Sequence, residues 1–163
     1  MTRPARIAWV LPVLLSLVAG SIAADQSSKA QDEDTIWKLE QSIYAGGSGH
    51  SNLTNYLGSM DPEYAGWPPQ SAAPLGYAHI AEAARNSSGA SVALTMKKDL
   101  IRVHREGNVA LAFYTTHRTG RAGGAADDYF ETLHVWIRGQ DGTWKLFGAM
   151  VRSAPATRPQ AKP

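Results

Sequence analysis

The chain has 163 residues, no cysteine, and 16 basic against 14 acidic side chains. This length is typical of one domain, and without cysteine the fold cannot contain disulfides. Nucleic-acid binding requires a concentrated basic surface. The basic residues here are scattered apart from Lys97-Lys98, so we expect no nucleic-acid partner.

The first 24 residues have the pattern of a secretory signal peptide. Arg3 and Arg6 precede an apolar run, Ile7–Val18, and small residues follow it. A run of about 12 residues is too short for a membrane span, which takes roughly 20. We expect cleavage after Ala23 or Ala24 and an exported bacterial protein, periplasmic or secreted, with no membrane anchor. Removal of Arg3 and Arg6 leaves 14 basic and 14 acidic residues, a net charge of zero.

Three helices are predicted next. Residues 25–31 are polar and predict a flexible lead. Asp32 or Asp34 can cap a first helix that ends near Ala45, before Gly46-Gly47. The second helix is predicted at 51–59 and the third at 76–86. Between them, residues 61–75 contain four prolines and predict an irregular connection with a very short strand at 63–65.

From residue 92 onward the apolar residues recur with a period of two, which indicates strands. Four strands are predicted, at 92–104, 108–119, 127–139 and 143–153. Asp141-Gly142 is a strong hairpin signal between the last two. Residues 154–163 form a proline-rich tail that we expect to be disordered. Helices followed by an antiparallel meander predict one α+β domain over residues 32–153, with the helices on one face of the sheet.

Glu40 is the first candidate for chemistry. At about 100° per residue, it lies in the middle of the apolar arc on the first helix, which is defined by Ile36, Trp37, Leu39, Ile43 and Tyr44. A carboxylate in that position needs a partner. Two interpretations stay open: a structural residue satisfied by an Arg, a Tyr or a backbone group, or an acid or base that lines a pocket.

The strand at 127–139 holds the second candidate, His134. Alternation places Phe130, Thr132, His134 and Trp136 on one face, and Tyr129, Glu131, Leu133, Val135 and Ile137 on the other. With a turn centred near Gly123, His134 pairs with Ala112, and Tyr114 pairs with Thr132. His134 is then a pocket donor, acceptor or general base, or a structural histidine. A single bulge would exchange the two faces.

The preceding strand, 108–119, also has two different faces. Val109, Leu111 and Phe113 are bulky and suggest the core. The other face, with Ala110, Ala112, Tyr114 and Thr116, suggests space above it. Glu131 is expected on the face opposite His134, at an intersheet or subunit contact.

Aromatic residues also lie in or beside the proline-rich connection. Tyr56, Tyr64 and Trp67 either form the mouth of a pocket for an apolar ligand or pin the segment down. The five histidines are scattered without paired ligand spacing, so we expect no metal, and no nucleophile motif is present.

Two segments carry a family resemblance. They are Glu-Thr-Leu-His-Val-Trp at 131–136, followed by Asp-Gly-Thr-Trp at 141–144, and Ile-Trp-x-Leu-Glu at 36–40. They resemble the nuclear transport factor 2-like superfamily, with its SnoaL-like group and the association domain of calcium/calmodulin-dependent kinase II as the most similar branches. The resemblance implies a cone: a strongly curved antiparallel sheet of four to six strands around three N-terminal helices and one deep pocket. It also implies dimers through the outer face of the sheet.

These observations predict an exported, dimeric pocket domain that binds a small, partly apolar organic molecule without a cofactor. The expected ligand-binding residues are Trp37, Tyr44, Tyr56, Trp67, Tyr114, Thr116, His134 and Trp136. An alternative is an isomerase, cyclase or dehydratase that transfers protons, with Glu40, His134 and Tyr114 as catalytic candidates. A further alternative is a scaffold or accessory subunit with a vestigial pocket.

Overall fold

The structure, a computed structural model, describes residues 28–45, 53–86, 93–104, 106–119 and 128–155. The predicted signal peptide and its cleavage sites, the turn near Gly123 and the tail at 156–163 lie outside these ranges. In the described part of the chain, no helix combines the length and apolar character needed to cross a membrane.

Three segments of the described chain are helical. Residues 28–43 form α1, Leu53–Ser59 form α2, and Tyr77–Asn86 form α3. The prediction that Asp32 or Asp34 caps α1 is wrong, because the helix already includes residues 28–31, which were expected in the flexible lead. Residues 29–31 are Lys-Ala-Gln. These are good helix formers, and they extend the helix toward the N-terminus. Asp32 instead forms an ion pair with Arg138 of the sheet.

Six strands of the described residues form one open, mixed sheet. In chain order they are β1 (Met60–Trp67), β2 (Leu75–Gly76), β3 (Ala93–Val103), β4 (Val109–Thr119), β5 (Asp128–Arg138) and β6 (Trp144–Ala154). Their order across the sheet is β2-β1-β6-β5-β4-β3. β1 runs parallel to β6, so the prediction of a wholly antiparallel sheet is wrong. Strands joined by a hairpin must be antiparallel. β1 and β6 are separated in the chain by most of the domain, so this constraint does not apply to them.

β1 is longer than the strand predicted at 63–65. It contains Pro62, which removes a backbone donor, and its pairing with β6 is irregular between Met60 and Ala65. The irregular stretch accommodates the proline. Pairing with β6 then continues through Ala65, Gly66 and Trp67.

The last four strands agree closely with their predicted bounds, and β4 pairs with β5 without interruption. Ala112 lies opposite His134, and Tyr114 lies opposite Thr132, as expected. The irregularity between β5 and β6 falls after the Val135–Gly148 pair and leaves the β4–β5 register intact. The two faces of β5 are therefore those predicted from alternation.

The β5–β6 hairpin turns at Asp141-Gly142. Gly142 has a φ of +81°, a conformation that side chains with a Cβ disfavour. The Asp141 carboxylate accepts hydrogen bonds from the Thr143 backbone N–H and hydroxyl, each at 3.0 Å. These two hydrogen bonds lower the pKa of Asp141 below its ordinary value.

The core lies between the helices and the face of the sheet that carries small residues. Ala110 and Ala112 are fully buried, whereas Val109, Leu111 and Phe113 are only half-buried on the opposite face. The expectation that the bulky face of β4 forms the core is therefore wrong, because small side chains leave room for residues from α1 to approach the sheet. The buried cluster comprises Ile36, Ile43, Met60, Tyr64, Ile101, Ala110, Ala112, Tyr114, Trp136, Trp144 and Leu146.

Candidate functional site

Glu40 is completely buried between α1 and β5. One carboxylate oxygen, Oε1, accepts a hydrogen bond from the indole Nε1–H of Trp136 at 2.6 Å. The imidazole Nδ1 of His134 lies 3.0 Å from Oε1 and 2.9 Å from Oε2. Trp136 and His134 are two residues apart on one strand, so their side chains reach Glu40 from the same face of β5.

The contact with Glu40 orients the His134 ring. An ionised carboxylate can only accept hydrogen bonds, so the contact favours the His134 tautomer in which Nδ1–H donates a hydrogen bond to Glu40. In the described structure, the hydrogen bonds of this ring all involve Nδ1. Nε2 is then available to a bound molecule, as an acceptor in the neutral ring and as a donor in the imidazolium.

Two tyrosines extend this arrangement. The Tyr114 hydroxyl lies 3.3 Å from His134 Nδ1, and the Tyr44 hydroxyl lies 3.2 Å from that of Tyr114. We call the five residues Glu40, Tyr44, Tyr114, His134 and Trp136 the Glu40 network. Its members come from α1, the turn that follows α1, β4 and β5, and it joins polar groups that would be costly to bury singly.

The tyrosines around this network are held in their neutral form. Burial raises the pKa of Tyr44 to about 12, and the negative charge of Glu40 acts in the same direction. Burial and then the charge of Glu40 raise the pKa of Tyr114 well above its ordinary value. Burial also raises the pKa values of Tyr56 and Tyr64, which are hydrogen-bonded to each other. All four hydroxyls are therefore potential donors near neutral pH.

A cavity of about 340 Å³ lies beside the Glu40 network. Tyr44 and His134 belong both to the network and to the cavity wall. Most of the wall is apolar or aromatic, with a few polar groups, as is usual in small-molecule sites. The helices and the turn after α1 contribute Ile43, Tyr44, Tyr56, Ile80 and Ala83, the segment between β1 and β2 contributes Pro68, Pro69 and Gln70, and the sheet contributes Tyr64, Trp67, Leu75, Thr116, Arg118, Thr132, His134, Ala149 and Val151.

The structure brings five of the eight predicted ligand-binding residues to this cavity: Tyr44, Tyr56, Trp67, Thr116 and His134. Trp67 is exposed and hydrogen-bonds the Ser71 carbonyl through Nε1, so it also pins the proline-rich segment.

Trp37, Tyr114 and Trp136 do not line the cavity. Tyr114 and Trp136 lie behind it in the Glu40 network, and the Trp37 ring packs edge-on against Tyr114. Trp37 also lies under the Lys98 ammonium, 5.9 Å from the ring centroid. Of the catalytic candidates, Glu40 and Tyr114 reach the cavity only through His134 or Tyr44.

Arg118 is a cavity residue that the prediction missed. It follows Tyr114 and Thr116 at intervals of two on β4, so alternation alone places it on their face. Its guanidinium carbon lies 4.6 Å from the centroid of the Phe130 ring. The positive charge of Arg118 partly opposes the upward shift of the Tyr44 pKa.

The opposite face of the sheet carries a separate groove of about 370 Å³. Phe113, Leu133 and Met150 lie side by side there, on three adjacent strands. Glu131 also lies on this face, as predicted, and accepts a hydrogen bond from Arg152 Nε at 2.7 Å. We call this surface, with Leu111 and Val135, the outer face.

Solved structures share the fold that these elements and the internal site define. The S. rosetta calcium/calmodulin-dependent kinase II hub has a TM-score of 0.64 at 16% identity, covering 75% of this chain and 96% of that one. A ketosteroid isomerase-like protein from Erwinia carotovora atroseptica scores 0.60 at 12% identity, covering 76% and 95%. A nuclear transport factor 2-like protein from Cytophaga hutchinsonii scores 0.58 at 16% identity, covering 74% and 97%.

The chain thus has the nuclear transport factor 2-like fold, and the predicted resemblance is confirmed at the level of the fold. At the level of sequence, no family model and no curated protein matches the chain. Identities this low carry no information about ligand or reaction, since this architecture is compatible with different functions.

Proposed function

We propose that this domain binds a small, partly apolar organic molecule in the cavity beside the Glu40 network. The observation that carries the proposal is the wall of the cavity: apolar and aromatic surface with a few convergent polar groups, chiefly Tyr44, Thr116 and His134. An engineered cavity of about 150 Å³ accommodates benzene. The volume here, about 340 Å³, therefore fits a molecule larger than a single ring.

We also propose that the three helices and the sheet form a cone around this pocket. We further propose that the protein is exported. A vestigial pocket receives no support, because side chains leave the cavity open. The packing of Glu40 against two donors also explains how a carboxylate can be kept behind the cavity wall without a cofactor or a metal.

Native mass spectrometry of the purified protein tests this proposal, followed by extraction and identification of any bound small molecule. Val151 and Met150 offer a matched pair, since Val151 lines the cavity and Met150 lies on the outer face. Val151→Trp should fill the cavity and abolish ligand recovery, whereas Met150→Trp should not. Equal recovery from both variants would place the ligand elsewhere and refute the proposal.

The Glu40–His134 contact favours a second candidate, catalysis of proton transfer. Glu40 holds Nδ1 of His134, so Nε2 could take a proton from a carbon next to a carbonyl. The Tyr44 hydroxyl, which is neutral because burial raises its pKa to about 12, could donate a hydrogen bond to the resulting enolate oxygen. This is chemistry of the isomerase type.

Deuterium exchange at the carbon acid of 2-tetralone, followed by NMR, tests the catalytic candidate. Wild-type protein should accelerate exchange over buffer, and His134→Gln should reduce the rate by about 100-fold, a typical contribution of a general base. Tyr44→Phe should also slow exchange. The catalytic candidate fails if exchange with wild-type protein is no faster than in buffer alone. It also fails if exchange with wild-type protein is no faster than with His134→Gln. Neither result affects the binding proposal.

The outer face is proposed to bind a second copy of the chain. Met150 is 54% exposed, and Phe113 and Leu133 continue the apolar surface beside it. A contiguous exposed apolar patch of this kind is typical of an interaction surface. Two structures with the same fold are described as a hub and an association domain, which is in keeping with self-association.

A further inference from the structure

Arg118 introduces a positive charge into a cavity that otherwise lacks formal charge. None of the described residues that line the cavity is an aspartate or a glutamate. Glu40, the nearest carboxylate of the site, lies behind His134 and is already engaged by two donors. Any ligand of this cavity therefore meets a guanidinium group with no acidic side chain beside it in the wall.

Arg118 forms no ion pair with an acidic residue of the described chain. Its Nε is buried and has no hydrogen-bond partner among the described residues. Asp128 is its neighbour in the strand register, yet the ion pairs of the described chain do not include Arg118. Its contact is a cation–π interaction with Phe130 at 4.6 Å. Such a contact orients the guanidinium plane but leaves its N–H donors unsatisfied.

A partly buried guanidinium with unused donors is suited to bind an anion. Arginine presents its N–H groups in a planar fork that matches a carboxylate, and such charge-assisted pairs are stronger than neutral hydrogen bonds. The hydroxyls of Tyr44 and Tyr56, which line the same cavity, are additional neutral donors. The wall thus offers donors and a positive charge at its polar points, and apolar surface elsewhere.

We propose that the ligand of this cavity is an organic acid, with its carboxylate on Arg118 and its apolar body against the hydrophobic wall. This inference rests on the proposed binding function and specifies the chemical class of the ligand. Arg118 and His134 line the same cavity, so one bound molecule could place its carboxylate on Arg118 and another part of its surface against His134.

Isothermal titration with two probes of nearly the same shape tests the inference. Naphthalene-2-carboxylate and naphthalene-2-carboxamide differ in charge but present the same apolar body to the cavity. Wild-type protein should bind the carboxylate about tenfold or more tightly than the carboxamide, as expected for a charge-assisted hydrogen bond. This comparison needs no variant and is independent of any effect on folding.

Arg118→Gln should remove most of the preference for the carboxylate while changing the carboxamide affinity by less than about twofold. Arg118→Lys should keep part of the preference for the carboxylate, because lysine retains the charge but not the planar fork. The control is Arg102→Gln, which makes the same charge change at an exposed site and should leave both affinities unaltered. Equal affinity of the two probes, or an undiminished preference in Arg118→Gln, overturns the organic-acid inference and leaves the binding proposal standing. Failure of both probes to bind refutes the two proposals together.

Discussion

The carboxylate of Glu40 and the imidazole Nδ1 of His134 lie 2.9 Å apart, although the residues are 94 positions apart in the chain. Both side chains are almost entirely buried, at 0% and 2% exposure. The pair connects α1 to the middle of the sheet, with His134 in the cavity wall and Glu40 behind it. It therefore has a structural role whether or not His134 also performs chemistry.

Replacing Glu40 should be strongly destabilising. Glu40→Ala leaves the His134 and Trp136 donors buried without their acceptor, and breaking such a buried pair costs about 3–5 kcal/mol. Glu33→Ala is the control on the same helix, because its ion pair with Arg102 is long, at 4.0 Å, and largely exposed. That variant should lose less than about 1 kcal/mol. Urea unfolding measures both, and equal losses would contradict the structural role of Glu40.

The hydrogen bond from Trp136 can be separated from the packing of its ring. Trp136→Phe removes the Nε1–H donor to Glu40 and some volume, while Trp144→Phe removes similar volume but no hydrogen bond to a described residue. Trp136→Phe should be the more destabilising by about 1.5–3 kcal/mol, the contribution of a hydrogen bond to a charged group. Chemical unfolding measures the free energy of unfolding of the two variants. A difference near zero would contradict a stabilising hydrogen bond from Trp136 to Glu40.

Stability should fall at alkaline pH because of the buried tyrosines. The pKa of Tyr44 is raised from 10.0 to about 12, so the folded state retains the phenol proton after the unfolded chain has released it. The free energy of unfolding should therefore be unaffected by Tyr44 below pH 10 and should decrease as the pH rises from 10 to about 12. Tyr44→Phe should show a shallower decrease in urea titrations over this range. Parallel curves for the two proteins would be inconsistent with the shift.

The hairpin turn should not tolerate a Cβ at Gly142. Its φ of +81° costs an L-residue about 1–2 kcal/mol, so Gly142→Ala should lower stability by that amount. Gly58→Ala is the opposite case, since Gly58 lies in α2 and an added Cβ there meets no atom within 4 Å. It should raise stability by about 0.5–1 kcal/mol. Thermal unfolding distinguishes the signs, and a stabilising Gly142→Ala would contradict the turn geometry.

Self-association through the outer face should depend on Met150. Met150→Asp places a charge in the centre of the apolar patch, whereas Met150→Leu preserves its character. Sedimentation over a range of concentrations should show a dimer for wild type and Met150→Leu and a monomer for Met150→Asp. If the wild-type protein is a monomer, the proposed dimer is refuted. If Met150→Asp is still a dimer, the interface lies on another surface.

The strands and register of the C-terminal half were accessible from the sequence because they depend on local signals. Alternation defined the faces of β4 and β5, and with a turn assumed near Gly123 it gave the Ala112–His134 pair. The position of Glu40 within an apolar arc likewise predicted its burial. These are patterns with a period of two or 3.6 residues, and neither needs knowledge of distant parts of the chain.

The remaining features depend on non-local packing. Periodicity assigns a side chain to a face of a strand or helix but not to a depth, so Trp37, Tyr114 and Trp136 were expected in the cavity and instead lie behind or away from it. The partners of Glu40 could not be named, because His134 and Trp136 meet it only in the folded sheet. β1 contains Pro62 and Gly66, so its sequence predicted an irregular connection with only a very short strand at 63–65, and the full strand depends on pairing with β6.

The position of β6 also governs the order in which the domain can be completed. β6 is the last strand of the described residues but lies inside the sheet, between β1 and β5. Met60 therefore finds its partner Leu146 only after nearly all of the domain has been synthesised. Contacts between such distant segments form slowly. A chain that ends before Trp144 would leave β1 and β5 with unpaired edges, which are templates for aggregation.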